Sequence, residues 1–380
     1  MYKDNIMRIS KLALLDNSNK KIDASIGMYY KENKTLESVT VLNRQLKKNI
    51  NKVRMYSLEA EKFSSAIIKW LHLEDIKDKV RAYYTLGGTG GLSLIFKKYC
   101  KGTTLYLPNI RWNNYDLICK ENNVKIDVYP YIVNEKFDID LFKKKIQKDH
   151  RKQLNILINT PCHNPTGYSL NLEELNSIFE YLRTLNTTRK INLIFDLAYL
   201  DFSEKPALFL DFIKKKIISD INIFLVYSFS KTFGLYGYRA GAVLLLSSSI
   251  EELSEFDKKS NEYIRSTHSS SNNLLVTAFS DVVLNKKKNK LLNKQVIDNH
   301  LKLKRRRDYF LSLCKRYYIN YVDGEGFFVF IPIENSIDLV NRLIDEHIYI
   351  IPYEKGIRVS VASINKREIT ILVKVLKNYI

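Results

Sequence analysis

A lysine set among serines and followed by an arginine is the feature of this sequence with the clearest chemistry. The letters SFSKTFGLYGYR surround Lys231 and directly follow an apolar run at residues 223–227. A lysine amine at a strand end can form an imine with an aldehyde when it is neutral, and nearby positive charge and desolvation favour the neutral form. The hydroxyls of Ser228 and Ser230 and the guanidinium of Arg239 could bind a phosphate beside it. Together these groups are typical of a pyridoxal 5'-phosphate (PLP) site, although a Ser-x-Ser-Lys run alone is also common in surface loops.

Two further apolar runs end in polar residues. Residues 154–158 are followed by TPCHNPTG, which contains Asn164 and predicts a turn, because Asn-Pro and Thr-Gly both break regular structure. Residues 191–195 end at Asp196. This pattern is typical of a strand that delivers a carboxylate at its C-terminal end, where open α/β sheets bind ligands. The alternative for Asp196 is a helix N-cap after the strand.

A glycine-rich stretch, LGGTGGL at residues 86–92, is a third candidate. Glycines allow the backbone to approach a phosphate closely, and the amides at the start of a following helix bind anions. No Gly-Lys-Ser/Thr follows, so the stretch is not a nucleotide P-loop. Taken by itself, the glycine pattern is weak evidence for phosphate binding.

The composition bounds the class of protein. The chain has 380 residues, of which 45% are hydrophobic, and a formal net charge of +20 at pH 7. This length exceeds one ordinary domain and can bury a sizeable core. A strongly basic chain can bind nucleic acid or anionic lipid. The lysines are nevertheless dispersed over the whole chain, and their short runs fall in apparently helical segments, so we expect no nucleic-acid partner.

Cysteine and histidine usage points to an intracellular protein without a metal site. The four cysteines form no Cys-x-x-Cys pair, and the six histidines lack metal-ligand spacing. We therefore expect reduced thiols, a cytoplasmic location and no bound metal. The first residues, MYKDN, contain no apolar signal region, and no uninterrupted apolar stretch approaches about 18 residues. Neither a signal peptide nor a membrane partner is expected.

Strand and helix signals alternate from about residue 60 to about residue 285. Apolar strand candidates lie at residues 104–107, 154–158, 191–195, 223–227 and 241–246, with polar helices such as 172–185 between them. Such alternation predicts an α/β fold with a largely parallel sheet and helices on both faces. From about residue 290 a long basic helix, 291–316, leads to a strand candidate at 326–331 and two more. This change predicts a second, smaller α+β domain.

The stretches described above, in this order, resemble the motifs of fold-type I PLP-dependent aminotransferases of class I/II, in particular the aspartate/aromatic aminotransferase family. The resemblance extends from about residue 20 to about residue 375. It implies the PLP transferase fold, with a large cofactor-binding domain at residues 37–289. The small domain would combine residues 1–36, an N-terminal arm, with residues 290–380.

The resemblance also implies roles for the polar residues that follow the strands. Lys231 would hold PLP as an imine, and after release by the substrate amine it would move the α-proton. Asp196 would pair with the pyridinium nitrogen and keep it protonated, so that the cofactor acts as an electron sink. Asn164 and Tyr199, the tyrosine of DLAY, would hydrogen-bond the phenolic oxygen of the cofactor. Lys231, Asp196 and Tyr199 are therefore the candidate catalytic residues.

Further residues match the cofactor-binding positions of the family. Gly88 and Thr89 would lie under the cofactor phosphate, together with Ser228, Ser230 and Arg239, whereas Gly87 stands where many members carry a serine. Trp112 would stack on the cofactor ring. The family histidine three positions later is Tyr115 here, so the surroundings of Asp196 are altered.

Four residues match substrate or subunit contacts of the family. Arg358, in GIRVSVA, would bind the substrate α-carboxylate with both arms of its guanidinium, and Gly27 would let the chain pass close to that carboxylate. Tyr56 would reach the cofactor phosphate of a neighbouring subunit. Arg265 would bind a substrate side-chain carboxylate across the dimer, but a solvent-facing helix arginine is an equal alternative.

The sequence thus predicts a homodimeric PLP-dependent aminotransferase that acts on an L-amino acid, of aspartate/glutamate or aromatic type, and a 2-oxo acid. A PLP-dependent lyase or decarboxylase on the same scaffold is one alternative, because the cofactor motifs do not fix which bond is broken. A basic binding protein that has kept the fold without the chemistry is the other alternative.

Overall fold

The structure, a computed structural model, describes residues 5–57, 60–132, 136–186, 189–217 and 221–379. The strands are β1 (Ile22–Asp23), β2 (Val80–Thr85), β3 (Thr104–Pro108), β4 (Lys125–Tyr129), β5 (Gln153–Asn159), β6 (Lys190–Asp196), β7 (Asn222–Ser228), β8 (Gly241–Leu246), β9 (Phe328–Pro332), β10 (Ile348–Tyr349), β11 (Ile351–Tyr353) and β12 (Gly356–Ser360).

The helices flank these strands in chain order. They are α1 (Asn5–Leu15), α2 (Thr40–Lys48), α3 (Ala60–Trp70), α4 (Gly87–Ile95), α5 (Asn114–Glu121), α6 (Ile139–Ile146), α7 (Leu172–Asn186), α8 (Pro206–Lys215), α9 (Phe229–Thr232), α10 (Ile250–Thr267), α11 (Asn273–Val283), α12 (Lys286–Arg316), α13 (Ser336–Asp345) and α14 (Lys366–Leu376). Short 3-10 segments span Ile50–Arg54, Glu74–Lys79 and Leu200–Phe202.

The central sheet joins seven of the described strands in the order β2-β8-β7-β6-β5-β3-β4. The pairs β7–β6, β6–β5, β5–β3 and β3–β4 are parallel, whereas β8 is antiparallel to both β7 and β2. The prediction of a largely parallel sheet is confirmed. All seven residues of β7 are buried, as expected for a strand that is covered on both faces of the sheet. Alternate residues of β6 face two different cores, Phe195 one and Ile194 the other.

The ends of the parallel strands are level with one another. Asn159, the last residue of β5, is paired with Asp196, the last residue of β6, and Asp196 is paired in turn with Val226 of β7. The segments that leave β5, β6 and β7 therefore emerge at one edge of the sheet. This edge carries the turn with Asn164, the carboxylate of Asp196 and the lysine helix α9.

A second, smaller sheet follows the long helix. Strands β11, β12 and β9 are antiparallel to one another, and β1 of the N-terminal arm pairs in parallel with β10. A third core lies around these strands and includes Ile22, Ile348 and Phe310 of α12. The division of the chain into residues 37–289 and residues 1–36 with 290–380 stays a prediction.

Helix α12 begins five residues earlier than the sequence pattern predicted, at Lys286 rather than at residue 291. Asn285 explains the earlier start, because its side chain accepts a hydrogen bond of 3.0 Å from the backbone amide of Lys288 and so caps the helix. The lysines directly after Asn285 carry no periodic apolar signal, so the apolar pattern marks the helix only from residue 291 onward. In the part of the chain that the structure describes, no helix has both the length and the apolar content needed to cross a membrane.

Candidate active site

Asp196 is a buried carboxylate at the end of β6, with 5% of its surface exposed. Its Oδ2 accepts a hydrogen bond of 2.6 Å from the hydroxyl of Tyr115, and its Oδ1 accepts one of 3.0 Å from the backbone amide of Ala198. Burial raises the pKa of Asp196, whereas these two hydrogen bonds and the charge of Lys231 act in the opposite direction. Its lone pairs that remain free can accept from a further donor.

Lys231 lies on the short helix α9, which directly follows β7. Ser228 caps this helix, because its Oγ accepts a hydrogen bond of 3.3 Å from the amide of Ser230. Burial and the positive charges of Arg239 and Arg358 lower the pKa of Lys231 to about 8, although the carboxylate of Asp196 opposes the shift. A larger fraction of the amine is therefore neutral near pH 8 than in an exposed lysine, and the neutral amine is the form that attacks an aldehyde.

Two tyrosine rings flank the lysine amine. The Nζ of Lys231 lies 5.9 Å from the ring centre of Tyr199 and 5.2 Å from that of Tyr236. The hydroxyl of Tyr236 accepts a hydrogen bond of 2.8 Å from the backbone amide of Tyr29 in the N-terminal arm. Sequence reasoning identified Tyr199 but not Tyr236, because the contact with the arm joins residues that are distant in the chain.

The start of α4 has the features of a phosphate cradle. Leu86 stands at the N-cap position and has no side chain that can accept from the first amides of the helix. Gly87 has a φ of +73°, and a Cβ at this position would lie 2.8 Å from Nη2 of Arg239. A Cβ on Gly88 would contact the Cβ of Ser228 at 3.5 Å. The helix amides, the Arg239 guanidinium and the Ser228 hydroxyl thus meet where glycines leave room, and this donor set fits a phosphate.

Thr89 and Ser230 complete the predicted set around the cradle. Thr89 is partly buried in the first turn of α4, and Ser230 is buried directly before the lysine. The structure therefore brings the glycine-rich stretch together with the serines and the arginine of the lysine motif. Their individual roles toward the cofactor stay predictions.

Arg358 is a buried arginine on β12, with 2% of its surface exposed. Its Nη1 donates to Oδ1 of Asn164 at 3.0 Å, and its Nη2 donates to the backbone carbonyl of Ser25. Its Nε is buried without a hydrogen-bond partner. A guanidinium has five N–H donors, so three remain available for a carboxylate. Because Oδ1 of Asn164 accepts from Arg358, the Nδ2 group of Asn164 is left to donate to another acceptor.

The N-terminal arm passes close to these groups at Gly27. A Cβ on Gly27 would lie 2.9 Å from Cζ of Phe328 and 3.3 Å from the hydroxyl of Tyr199. The ring of Phe328 in turn packs 4.3 Å from the guanidinium carbon of Arg358. The glycine is therefore required for close packing of the arm against both the candidate catalytic tyrosine and the candidate carboxylate-binding arginine.

We expect Gly27→Ala to lower kcat/KM about 5- to 160-fold, because forcing a methyl group into a packed site costs about 1–3 kcal/mol. The matched control is Gly237→Ala, since a Cβ on Gly237 would meet no atom within 4 Å. Steady-state kinetics and the melting temperature of both variants check this expectation. Equal activity of the two variants would contradict it.

Arg111 and Asn113, the chain neighbours of Trp112, line a cleft between the two sheets. The cleft has a volume of about 710 Å³ and is lined on one side by Asn109, Ile110 and Asn113 and on the other by Phe330 and Tyr353. The ring of Trp112 is nearly perpendicular to that of Tyr115, at 83° and 5.4 Å. Sequence reasoning missed the apolar residues of the cleft, because nothing in their local patterns distinguishes them from core residues.

The structure does not bring Tyr56 or Arg265 into contact with these groups within one chain. Tyr56 has 79% of its surface exposed. Arg265 is exposed in the last turn of α10, and its Nη1 donates to Oγ of Ser269 at 3.4 Å. The cross-subunit roles predicted for both residues stay predictions.

A buried hydrogen-bond network contacts the lysine helix α9 through Thr232. Sequence reasoning missed this network. Oδ2 of Asp201 accepts from the hydroxyls of Tyr227 at 2.5 Å and of Thr232 at 2.7 Å. The indole of Trp70 donates to the Tyr227 hydroxyl at 2.8 Å. Burial raises the pKa of Asp201. The network links the segment after Tyr199 to the residue after Lys231, and only the folded chain brings these groups together.

The lowered pKa of Lys231 leads to a pH prediction. Below about pH 8 the neutral fraction of the amine falls tenfold per pH unit, so the rate at which the cofactor-free protein forms its visible band with PLP should fall in the same way. In Arg239→Gln the inflection should move to higher pH, because a positive charge that lowers the pKa is removed. Stopped-flow absorbance from pH 6 to pH 10 tests both statements. A rate without inflection in this range would contradict them.

Comparisons with known proteins give the family of this chain. The family model described as aminotransferase class I and II matches residues 19–376. The mitochondrial aspartate aminotransferase of Dictyostelium discoideum is 26% identical over 280 residues, and the match spans 70% of this chain but only 65% of that relative.

Solved structures share the fold over nearly the whole chain. An aminotransferase from Anaerococcus prevotii is 26% identical with a TM-score of 0.91, covering 99% of this chain and 96% of that chain. The aromatic-amino-acid aminotransferase from Burkholderia pseudomallei, which is covalently bound to pyridoxal phosphate, is 20% identical with a TM-score of 0.84, covering 99% and 96%. The resemblance and the fold class predicted from the sequence are both confirmed. With its family model matched from residue 19 to residue 376, the chain belongs to the aminotransferase class I and II family.

Proposed function

We propose that this protein is a PLP-dependent aminotransferase that moves an amino group between an L-amino acid and a 2-oxo acid. One observation carries the proposal: the short helix with Lys231 leaves β7 at the level where the parallel neighbour β6 ends in the buried carboxylate of Asp196. Family membership favours transamination over a lyase, a decarboxylase or a non-catalytic binding protein.

The donor set at the sheet edge supports PLP as the cofactor. The amides of α4 with Gly88 and Thr89, the hydroxyls of Ser228 and Ser230, and Arg239 would hold the phosphate. Asp196 would accept from the ring nitrogen, and Asn164 and Tyr199 would donate to the phenolic oxygen. Trp112 would cover one face of the ring. When bound, PLP supplies an electron sink that stabilises negative charge at the substrate Cα.

The side chains of this protein supply the remaining chemistry. Arg358 binds the substrate carboxylate and thereby fixes the amino acid in one orientation. The neutral amine of Lys231 takes the proton from the substrate Cα and later returns a proton to the product, which is favoured by a pKa close to the working pH. Gly27 and Phe328 pack closely beside Arg358, which is 2% exposed, so little water would reach the bound carboxylate.

We further propose that the protein works as a cytoplasmic homodimer in which Tyr56 and Arg265 complete the site of the partner subunit. Tyr56 is exposed next to Ile50, Val53 and Met55, whose surfaces are exposed by 55%, 60% and 62%. An apolar patch of this kind is typical of a protein–protein contact. The four cysteines are free and buried, in agreement with a reducing compartment.

The test is a half-reaction screen on the purified, PLP-loaded protein. Single amino acids are added, the visible absorbance of the lysine-bound cofactor is followed, and the 2-oxo acid product is identified. Loss of the visible band with formation of a 2-oxo acid supports an aminotransferase. An amine, or pyruvate with ammonia, would replace this proposal by a decarboxylase or a lyase. Failure to form any visible band with excess PLP would remove the cofactor from the proposal.

The same screen separates the two donor classes. If aspartate or glutamate removes the visible band in the wild type but not in Arg265→Ala, the result supports binding of the substrate side-chain carboxylate by Arg265. A response only to aromatic or other neutral amino acids would keep the reaction class and discard that role. The exposed arginine Arg342 of α13 provides the matched control variant.

A further inference from the structure

The hydroxyl of Tyr115 makes the shortest side-chain contact to the carboxylate of Asp196. The distance from the hydroxyl to Oδ2 is 2.6 Å, and Tyr115 is fully buried. The other oxygen of Asp196 accepts only the weaker bond of 3.0 Å from a backbone amide. The sequence indicated that Tyr115 alters the surroundings of Asp196, but it did not indicate that the hydroxyl reaches the carboxylate.

This hydrogen bond opposes the effect of burial on the carboxylate. Burial favours the neutral acid of Asp196, whereas a donor to the charged oxygen favours the carboxylate. Among the described residues, the charged or titratable groups that interact with Asp196 are Lys231 of α9, Tyr115 of α5 and Tyr199. Burial and the charge of Asp196 raise the pKa of Tyr115 far above its ordinary value. The tyrosine therefore remains a neutral donor across the physiological range of pH.

Tyr115 is held in place by its own segment. It lies in the first turn of α5, and its backbone amide donates to the carbonyl of Trp112 at 3.1 Å. The ring of Trp112 packs edge-on against it. The backbone and the ring of Trp112 thus both help to fix the donor to Asp196.

We propose that Tyr115 is a positioning residue that keeps Asp196 ionised and aims its carboxylate at the ring nitrogen of the cofactor, an inference that rests on the function proposed above. A neutral phenol provides this support without a titration of its own near neutral pH. The hydrogen bond from Tyr115 to Asp196 therefore stays the same over the pH range in which an imidazole donor would gain or lose a proton.

The test compares Tyr115→Phe with Tyr129→Phe in the full-length protein. Tyr129 is also fully buried, but its hydroxyl donates to the carbonyl of Leu157 at 2.9 Å and not to Asp196. The pKa of the Asp196 carboxyl is measured by carbon-13 NMR with labelled aspartate, and the resonance is assigned through Asp196→Asn. We expect the pKa to rise by about one to two pH units in Tyr115→Phe and to stay unchanged in Tyr129→Phe.

A second readout uses the PLP-loaded protein. In Tyr115→Phe we expect the rate constant of the half-reaction to fall about tenfold or more, with little change in the apparent affinity for the amino acid. Tyr115→His should recover most of this rate, because an imidazole N–H can also donate to the carboxylate. Recovery by histidine but not by phenylalanine identifies the donated hydrogen bond, rather than the packing of the ring, as the cause.

The outcomes separate this inference from the proposed function. An unchanged Asp196 pKa in Tyr115→Phe, or an equal change in Tyr129→Phe, would overturn the role of Tyr115. If the Asp196 pKa rises in Tyr115→Phe as expected but the wild-type protein produces no 2-oxo acid with any amino acid, the proposed function is overturned and the support of Asp196 by Tyr115 remains.

Discussion

Lys231→Ala is expected to abolish both the visible absorbance band with PLP and amino-group transfer, with a loss of rate of at least about 10⁴-fold. The amine of Lys231 is the group that forms the covalent link to the cofactor and moves the proton at the substrate Cα, and proton transfer alone contributes about 10²–10⁴-fold in enzymes. The fold should persist, because burial of the Lys231 amine is unfavourable in the native state and its removal takes that desolvation cost away. Absorbance, turnover and thermal melting check the three parts of this expectation.

Two further variants define the cause of the loss. Lys231→Arg keeps a positive charge at the site, but a guanidinium is never neutral at working pH, so this variant should be as inactive as alanine. Lys215→Ala removes an exposed lysine of α8 and should leave the band and the turnover unchanged. Transamination by Lys231→Ala at near wild-type rate would show that the lysine is wrongly assigned.

The strands of the fold could be predicted from the sequence because they are buried on both faces. Each of the five apolar runs that we identified lies within a strand of the central sheet, as with residues 191–195 in β6. Strand β4 was missed, since its residues are largely exposed and its letters, KIDVY, alternate with charge. The antiparallel edge strand β2 was missed too, because its pairing with β8 joins distant segments. Local pattern predicts a strand well when burial alone dictates its composition.

The site was predictable to the extent that its residues occur in short linear motifs. Asp196, Lys231 and Asn164 follow apolar strands whose ends are level, so the sequence places them at one edge of the sheet. The contacts that tune them depend on residues far away in the chain. Tyr236 binds the N-terminal arm, and Arg358 lowers the pKa of Lys231 from a strand of the small sheet. Such contacts follow from tertiary packing, and one sequence without its fold contains no signal for them.

Tyr56 and Arg265 are predicted to act in the active site of a partner subunit, and such roles depend on assembly rather than on the fold of one chain. Both residues are exposed in one chain, so neither the sequence nor the folded chain by itself places them in a site. Their predicted roles depend on a second copy of the chain. The exposed apolar residues next to Tyr56 support such a contact, and the half-reaction screen with Arg265→Ala tests it.

Arg358→Gln is expected to raise KM for the amino acid and to lower kcat/KM about 10²- to 10⁴-fold. A carboxylate held by two charge-assisted hydrogen bonds loses about 1.5–3 kcal/mol for each bond, and each 1.36 kcal/mol is a factor of ten. Arg358→Lys keeps the charge but cannot present two parallel donors, so we expect an intermediate loss. Arg342→Lys, on the exposed face of α13, is the matched control and should be neutral.

A structural role for Arg358 would give a different result. Its removal leaves Oδ1 of Asn164 and the carbonyl of Ser25 without a donor, which costs stability at about 1–3 kcal/mol for each group. Loss of stability would weaken the binding of every ligand equally. Loss of carboxylate recognition would instead remove the preference for an amino acid over the corresponding amine that lacks the carboxylate. Binding of both compounds to the PLP-loaded wild type and variants distinguishes the two roles. If Arg358→Gln kept the preference for the amino acid, the carboxylate-binding role would be ruled out, because the guanidinium of Arg358 would then have no part in selecting the substrate.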